Sequence, residues 1–116
     1  SMSTLKVDTL QTTGGAGLYP AKVWSAWNQV GTQSILGSGN ISSITDGGVG
    51  ITTNNFSNSL SSSNFSVTFG CGGSSTDPYR YIGAYVTMTT STVKTISLHT
   101  TTAAYDTAYN AIQIIL

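Results

Sequence analysis

Glutamate is absent from this chain, and charge of either sign is scarce: four Lys or Arg and four Asp among 116 residues, 7% in all. Soluble domains usually devote about a quarter of their residues to Asp, Glu, Lys and Arg. The polar surface here must therefore be built from hydroxyls and amides, and roughly a third of the residues are serine or threonine. Catalysis needs ionisable groups where protons move, metals are held or charge develops. The supply is Asp8, Asp46, Asp77, Asp106, Lys6, Lys22, Lys94, Arg80 and His99. No carboxylate pair and no set of nucleophile, base and acid assembles from so short a list, so no enzyme is expected, and no metal or cofactor. No lysine or arginine lies within ten residues of another, which leaves a phosphate backbone nothing to grip and argues against nucleic-acid binding.

The remaining absences are equally informative. Cys71 is the only cysteine, which excludes an internal disulfide and a multi-cysteine metal site and fits folding in a reducing cytoplasm. No run approaches the roughly twenty apolar residues that cross a bilayer, and no basic, then apolar, then small-residue signal opens the chain, so no membrane insertion is expected. Ser1 and Met2 read as a protease-cleavage scar followed by a natural initiator methionine. Neither a Gly-x-Ser-x-Gly elbow nor a phosphate-binding loop occurs, since the Gly14-Gly15-Ala16-Gly17 run lacks the lysine and the strand-to-helix context of such a loop.

What is present is alternation. Phe65, Val67, Phe69 and Cys71 fall on one face of a strand, and Ile82, Ala84, Val86 and Met88 on one face of another. Further strands are expected at 22–28, 31–36, 41–46, 50–56, 93–100 and 108–116. Asp46-Gly47-Gly48 supplies the positive φ that a tight hairpin turn demands, while Asp77-Pro78 and the Ser/Asn-rich stretch 58–64 read as loops. Seven or eight short strands without helical spacing predict an all-β chain, an antiparallel β-sandwich or jelly-roll-like domain over 20–116. Residues 1–19 read as an extended N-terminal arm with a glycine-rich linker. A β domain usually guards its sheet edges with lysine or proline. With two prolines and near-zero net charge, either bulges and loops cover these edges or another subunit does.

The pattern Ala21-Lys22-Val23-Trp24-Ser25-Ala26-Trp27-Asn28, followed by Ile41-Ser42-Ser43-Ile44-Thr45-Asp46-Gly47 and by Phe65-Ser66-Val67, resembles a family of small structural proteins of tailed bacteriophages, those of marine and cyanobacterial phages above all. The opening Ser3-Thr4-Leu5-Lys6-Val7-Asp8-Thr9-Leu10-Gln11 fits the same pattern. Beyond Gly70 only the strand rhythm agrees, and Gly50-Ile51-Thr52-Thr53-Asn54-Asn55-Phe56 is more polar than the matching strand of that family. The resemblance implies a virion component of tail-fibre type, made in the host bacterial cytoplasm. It also implies a homotrimer whose N-terminal arm joins other virion proteins, and it brings no catalytic residues with it.

Candidate sites follow from aromatic placement. Trp24 and Trp27 are three apart and so point to opposite faces of a strand. One belongs to the core, and the other to an interface or a sugar-stacking position. Leu5, Val7, Leu10, Trp27, Ile114 and Leu116 are the candidate contacts between copies, the C-terminal run 112–116 either meeting a neighbour or completing the chain's own core. Tyr79, Arg80, Tyr81 and Tyr85, beside the Asp77-Pro78 turn, are the candidate contacts to a host surface glycan. The plainer reading pairs Arg80 with Asp77 or Asp106 and puts the tyrosines in a seam between subunits. His99 reads as a surface or interface residue and Cys71 as an inert small hydrophobe. A capsid decoration protein without a receptor role, or a carbohydrate-binding module, are the alternatives to a fibre.

Overall fold

The β-branched, alternating segments form eight strands, and the computed structural model describes residues 4, 6, 11–15, 20–73, 81–99 and 103–116. The strands are β1 (Val23–Asn28), β2 (Ser34–Gly39), β3 (Ile41–Gly48), β4 (Ile51–Phe56), β5 (Ser66–Gly72), β6 (Tyr81–Met88), β7 (Thr92–His99) and β8 (Tyr109–Ile115). They build two four-stranded antiparallel sheets, ordered β2-β1-β8-β5 and β3-β4-β7-β6. The sheets pack against each other as a β-sandwich, the expected fold class. Of the arm, only Thr4, Lys6 and residues 11–15 are described, and all of these are exposed.

Glycine and asparagine set the corners. The chain leaves the first sheet for the second at Asn40, whose φ of 60° is the left-handed conformation that asparagine tolerates. Its side chain fastens that corner: Oδ1 accepts the Asn58 backbone N–H at 2.9 Å and Nδ2 donates to the Asn58 carbonyl at 3.1 Å. The hairpin between β3 and β4 turns at Val49-Gly50, just beyond the Asp46-Gly47-Gly48 signal, because Asp46 Oδ1 accepts the Gly48 N–H at 2.9 Å and extends the strand through a bulge. Gly50, at φ 71°, could carry no side chain, since a Cβ there would lie 2.6 Å from the Ser97 carbonyl. Its N–H reaches Asp106 Oδ1 at 2.8 Å and its carbonyl accepts the Ser97 N–H at 2.8 Å, so the hairpin tip is tied to the segment leading into β8.

The interior divides into two halves. At one end Val23, Ile114 and Val67 lie in one row across β1, β8 and β5, with Phe56, Phe65, Val93 and Met88 closing the apolar core. Phe56 and Phe65 meet with ring centroids 6.2 Å apart. At the other end the buried residues include Gln29, Thr52, Thr95, Ser97, Thr107 and Asn110. Trp27 spans the two. It is 0% exposed, its ring stands edge-on to Phe69 at 5.8 Å, and its Nε1–H crosses between the sheets to Thr52 Oγ1 at 3.1 Å.

Three expectations need correction. Trp27 and Ile114, candidate contacts between copies, are both 0% exposed within the chain's own core and offer no surface to a neighbour. The proposed common face of Ile82, Ala84, Val86 and Met88 does not persist along β6. Pairing with β7 jumps from Tyr85↔Thr95 to Thr87↔Lys94, so Val86 is the extra residue of a bulge. The phase reverses there: Gly83 lies under Phe69 and Met88 packs on the core, whereas Ala84 and Val86 are exposed.

Candidate functional site

Two tryptophans on one six-residue strand must point to opposite faces, and the packing decides which is free. Trp27 fills the core, so Trp24 projects from the outer face of the first sheet, where it is 47% exposed. Its register partner on β2 is Gly39, and Gly37 lies two residues along the same face. The indole covers both. A methyl group on Gly39 would collide with the ring, and one on Gly37 would sit 3.2 Å from Cη2. The glycines of β2 thus act as a bed, with backbone under one part of the ring and solvent on the rest.

Beside this indole the sheet carries a furrow. Pairing aligns Gly37, Ala26, Ala111 and Gly70 in one row across β2, β1, β8 and β5. The adjoining row is Gly39, Trp24, Gln113 and Thr68. On the other side stand Tyr109, paired with Gly72, and Leu36, the extra residue of a bulge opposite Ala26 and Trp27. Leu36 and Tyr109 are about as exposed as large apolar residues become here, at 60% and 59%. Two hollows of about 300 and 450 Å³ share Ala26, Gly70 and Ala111 as a floor, and among the described residues no charged one lines either. Among the described residues, neither Gln113 nor Thr68 uses its side chain in a hydrogen bond.

The opposite face of the molecule is different in kind. On the second sheet Asn55 Nδ2 bridges Ser43 Oγ at 3.1 Å and Thr45 Oγ1 at 3.0 Å, so the outer amides and hydroxyls satisfy one another. Trp24, Ile35, Leu36, Tyr109 and Ile115, all exposed, belong to the first sheet, against Val86 among the described residues of the second sheet's strands.

Leu5, Val7, Leu10, Tyr79 and Arg80 lie outside the described residues, as do the side chains of Tyr81 and Tyr85, whose backbones belong to β6. Leu116 is at the surface, 38% exposed, one residue beyond β8. His99 is half-buried, its ring 5.6 Å from that of Tyr105. Cys71 borders the furrow, half-buried. Burial pushes its thiol above the ordinary range, against a smaller opposing pull from a hydrogen bond with Ser97. At pH 8 it carries less thiolate than a free cysteine, which suits an inert role. Among the described residues no three His, Cys, Asp or Glu come together as a metal site would require.

Sequence reasoning did not find the furrow. Its floor comes from four strands remote in sequence, and only the pairing register brings the small residues into line. Comparison with family models, with curated proteins and with solved structures yields no match to this chain.

Proposed function

We propose that this chain is a structural component of a phage virion, of tail-fibre type, that works by assembling with copies of itself into a homotrimer. The observation that carries the proposal is the state of the sheet edges. The edge strands are β2, β5, β3 and β6, and together they contain no proline and one charged residue, Asp46. Lone β domains protect such strands with lysine, proline or inward charges. Edges left so neutral are best explained by a neighbour that covers them, and a formal net charge of zero removes the repulsion that would keep copies apart. The resemblance to tailed-phage structural proteins points the same way. The N-terminal arm read from the sequence at 1–19 is the segment we assign to attachment on other virion proteins.

Gel filtration with light scattering tests this. A mass about three times the 12.0 kDa chain is the expected result, and a monomer across micromolar concentrations overturns it. Immunogold labelling of purified virions then separates a fibre from a capsid decoration: label along or at the tip of the tail supports the former, label over the head the latter.

A further inference from the structure

We propose that the furrow on the outer face of the first sheet is a binding site for a neutral saccharide, with Trp24 as its stacking platform. This does not depend on the assembly proposal, since every residue it uses belongs to one chain.

Four observations lead to it. The indole of Trp24 is held on Gly37 and Gly39, positions at which any side chain would crowd it, so a ring already fixed in place loses little freedom when a ligand stacks on it. A flat apolar surface with one polar N–H suits the C–H face of a pyranose. Gln113 and Thr68 follow Trp24 in the same row across β8 and β5, with side chains that no other described residue engages. A sugar ring seated on Trp24 would have an amide and a hydroxyl beside it for its own hydroxyls. The small floor of Ala26, Ala111 and Gly70 supplies the depth.

Charge and size narrow the occupant. With no charged residue among the described residues of the lining, an anionic or cationic ligand would be desolvated without a partner there, and a polynucleotide would find aromatic stacking without cations. A neutral ligand matches. The face itself, four strands about 4.8 Å apart and roughly 20 Å long, covers on the order of 400 Å². Hollows of about 300 and 450 Å³ are in the range of small-molecule sites.

The test uses the full chain and four series of neutral oligosaccharides, built from glucose, mannose, galactose or N-acetylglucosamine. It follows tryptophan emission with calorimetry alongside. Because Trp27 is sealed in the core, a shift in emission reports Trp24. At least one series is expected to give a saturable shift. Trp24→Ala, and separately Ala111→Leu, which fills the furrow from outside the core, should each weaken binding by about tenfold or more, equivalent to about 1.4 kcal/mol, at unchanged mass and unchanged thermal midpoint. The proposal is overturned if none of the four series alters emission or heat up to about 10 mM, a concentration that would reveal even millimolar binding. It is also overturned if binding survives Trp24→Ala, or if Trp24→Ala changes the oligomer mass, which would make the face a contact between copies. A monomer that binds sugar through Trp24 overturns the assembly proposal and leaves this one standing.

Discussion

The two halves of the interior are held by different forces, although the same four central strands run through both. In the apolar half, Val23, Phe56, Phe65, Val93 and Ile114 are buried by shape alone. In the polar half Gln29, Thr52, Ser97, Thr107 and Asn110 each have a hydrogen-bond partner. Asn110 Oδ1 accepts from Ser97 Oγ at 2.9 Å and from Thr107 Oγ1, and its Nδ2 donates to the Thr107 carbonyl at 2.9 Å. Thr52 Oγ1 accepts from Trp27 and Gln29 and donates to Gln33 Oε1 at 2.6 Å, using its full capacity. The lesson is that hydrogen bonds can close a sandwich where apolar side chains are few, provided the set is complete. Two of these bonds, Trp27 to Thr52 and Ser97 to Asn110, join one sheet to the other.

Trp27→Ala is the strongest way to break the comparison, since this residue belongs to both halves. It leaves a large cavity against Phe69 and frees Thr52 of one donor. A loss of about 3–5 kcal/mol is expected from urea unfolding. Ile114→Ala, which touches only the apolar half, should cost about 2–5 kcal/mol. Asn110→Ala, confined to the polar half, should cost about 1–3 kcal/mol by taking the acceptor of Ser97 Oγ and the donor to the Thr107 carbonyl. If Asn110→Ala costs as much as Trp27→Ala, the polar half is the mechanical centre of the fold. If it costs nothing, the hydrogen bonds there are replaceable by water.

Much of this was legible in the sequence, and the failures have physical causes. Each of the eight strands overlaps an expected run, although β2, at Ser34–Gly39, lies three residues beyond the expected 31–36. The direction of each face was harder to read. On β7 the buried residues are Val93, Thr95 and Ser97, whereas Ile96 and Leu98 are only partly buried on the other side. On β1 and the residue after it the buried phase is Val23, Ser25, Trp27 and Gln29. Two polar residues in that phase conceal the core side, so spacing alone could separate Trp24 from Trp27 without saying which was inside. The bulge at Val86 carries no local signal such as glycine or proline, and it inverted the expected face of β6. The candidate site was least legible. Neither the glycine bed under Trp24 nor the aligned small residues exist until four strands are placed in register.

The comparison can also be sharpened where it is imperfect. Asn54 is fully buried between Ile44 and Val93 on neighbouring strands, within the apolar half, and among the described residues neither its Nδ2 nor its Oδ1 has a partner. If that half is held by shape, an unpartnered amide there is a cost. Asn54→Leu, which keeps the branching at Cγ and carries no polar atoms, should raise stability by about 1 kcal/mol, seen as a higher urea midpoint at unchanged slope.

Ser25 gives the smallest and most discriminating effect. It lies one row from Trp27 on the same buried face of β1, it is 1% exposed, and among the described residues its Oγ has no hydrogen-bond partner. Were the polar half stabilised merely by containing polar atoms, Ser25→Ala would weaken the fold as Asn110→Ala does. If completed hydrogen bonds are what count, removing an unused hydroxyl sheds a desolvation cost and loses nothing in return. The expected change is between zero and about 1 kcal/mol of added stability. A loss comparable with that of Asn110→Ala would show that burial of hydroxyls, and not their pairing, distinguishes the two halves.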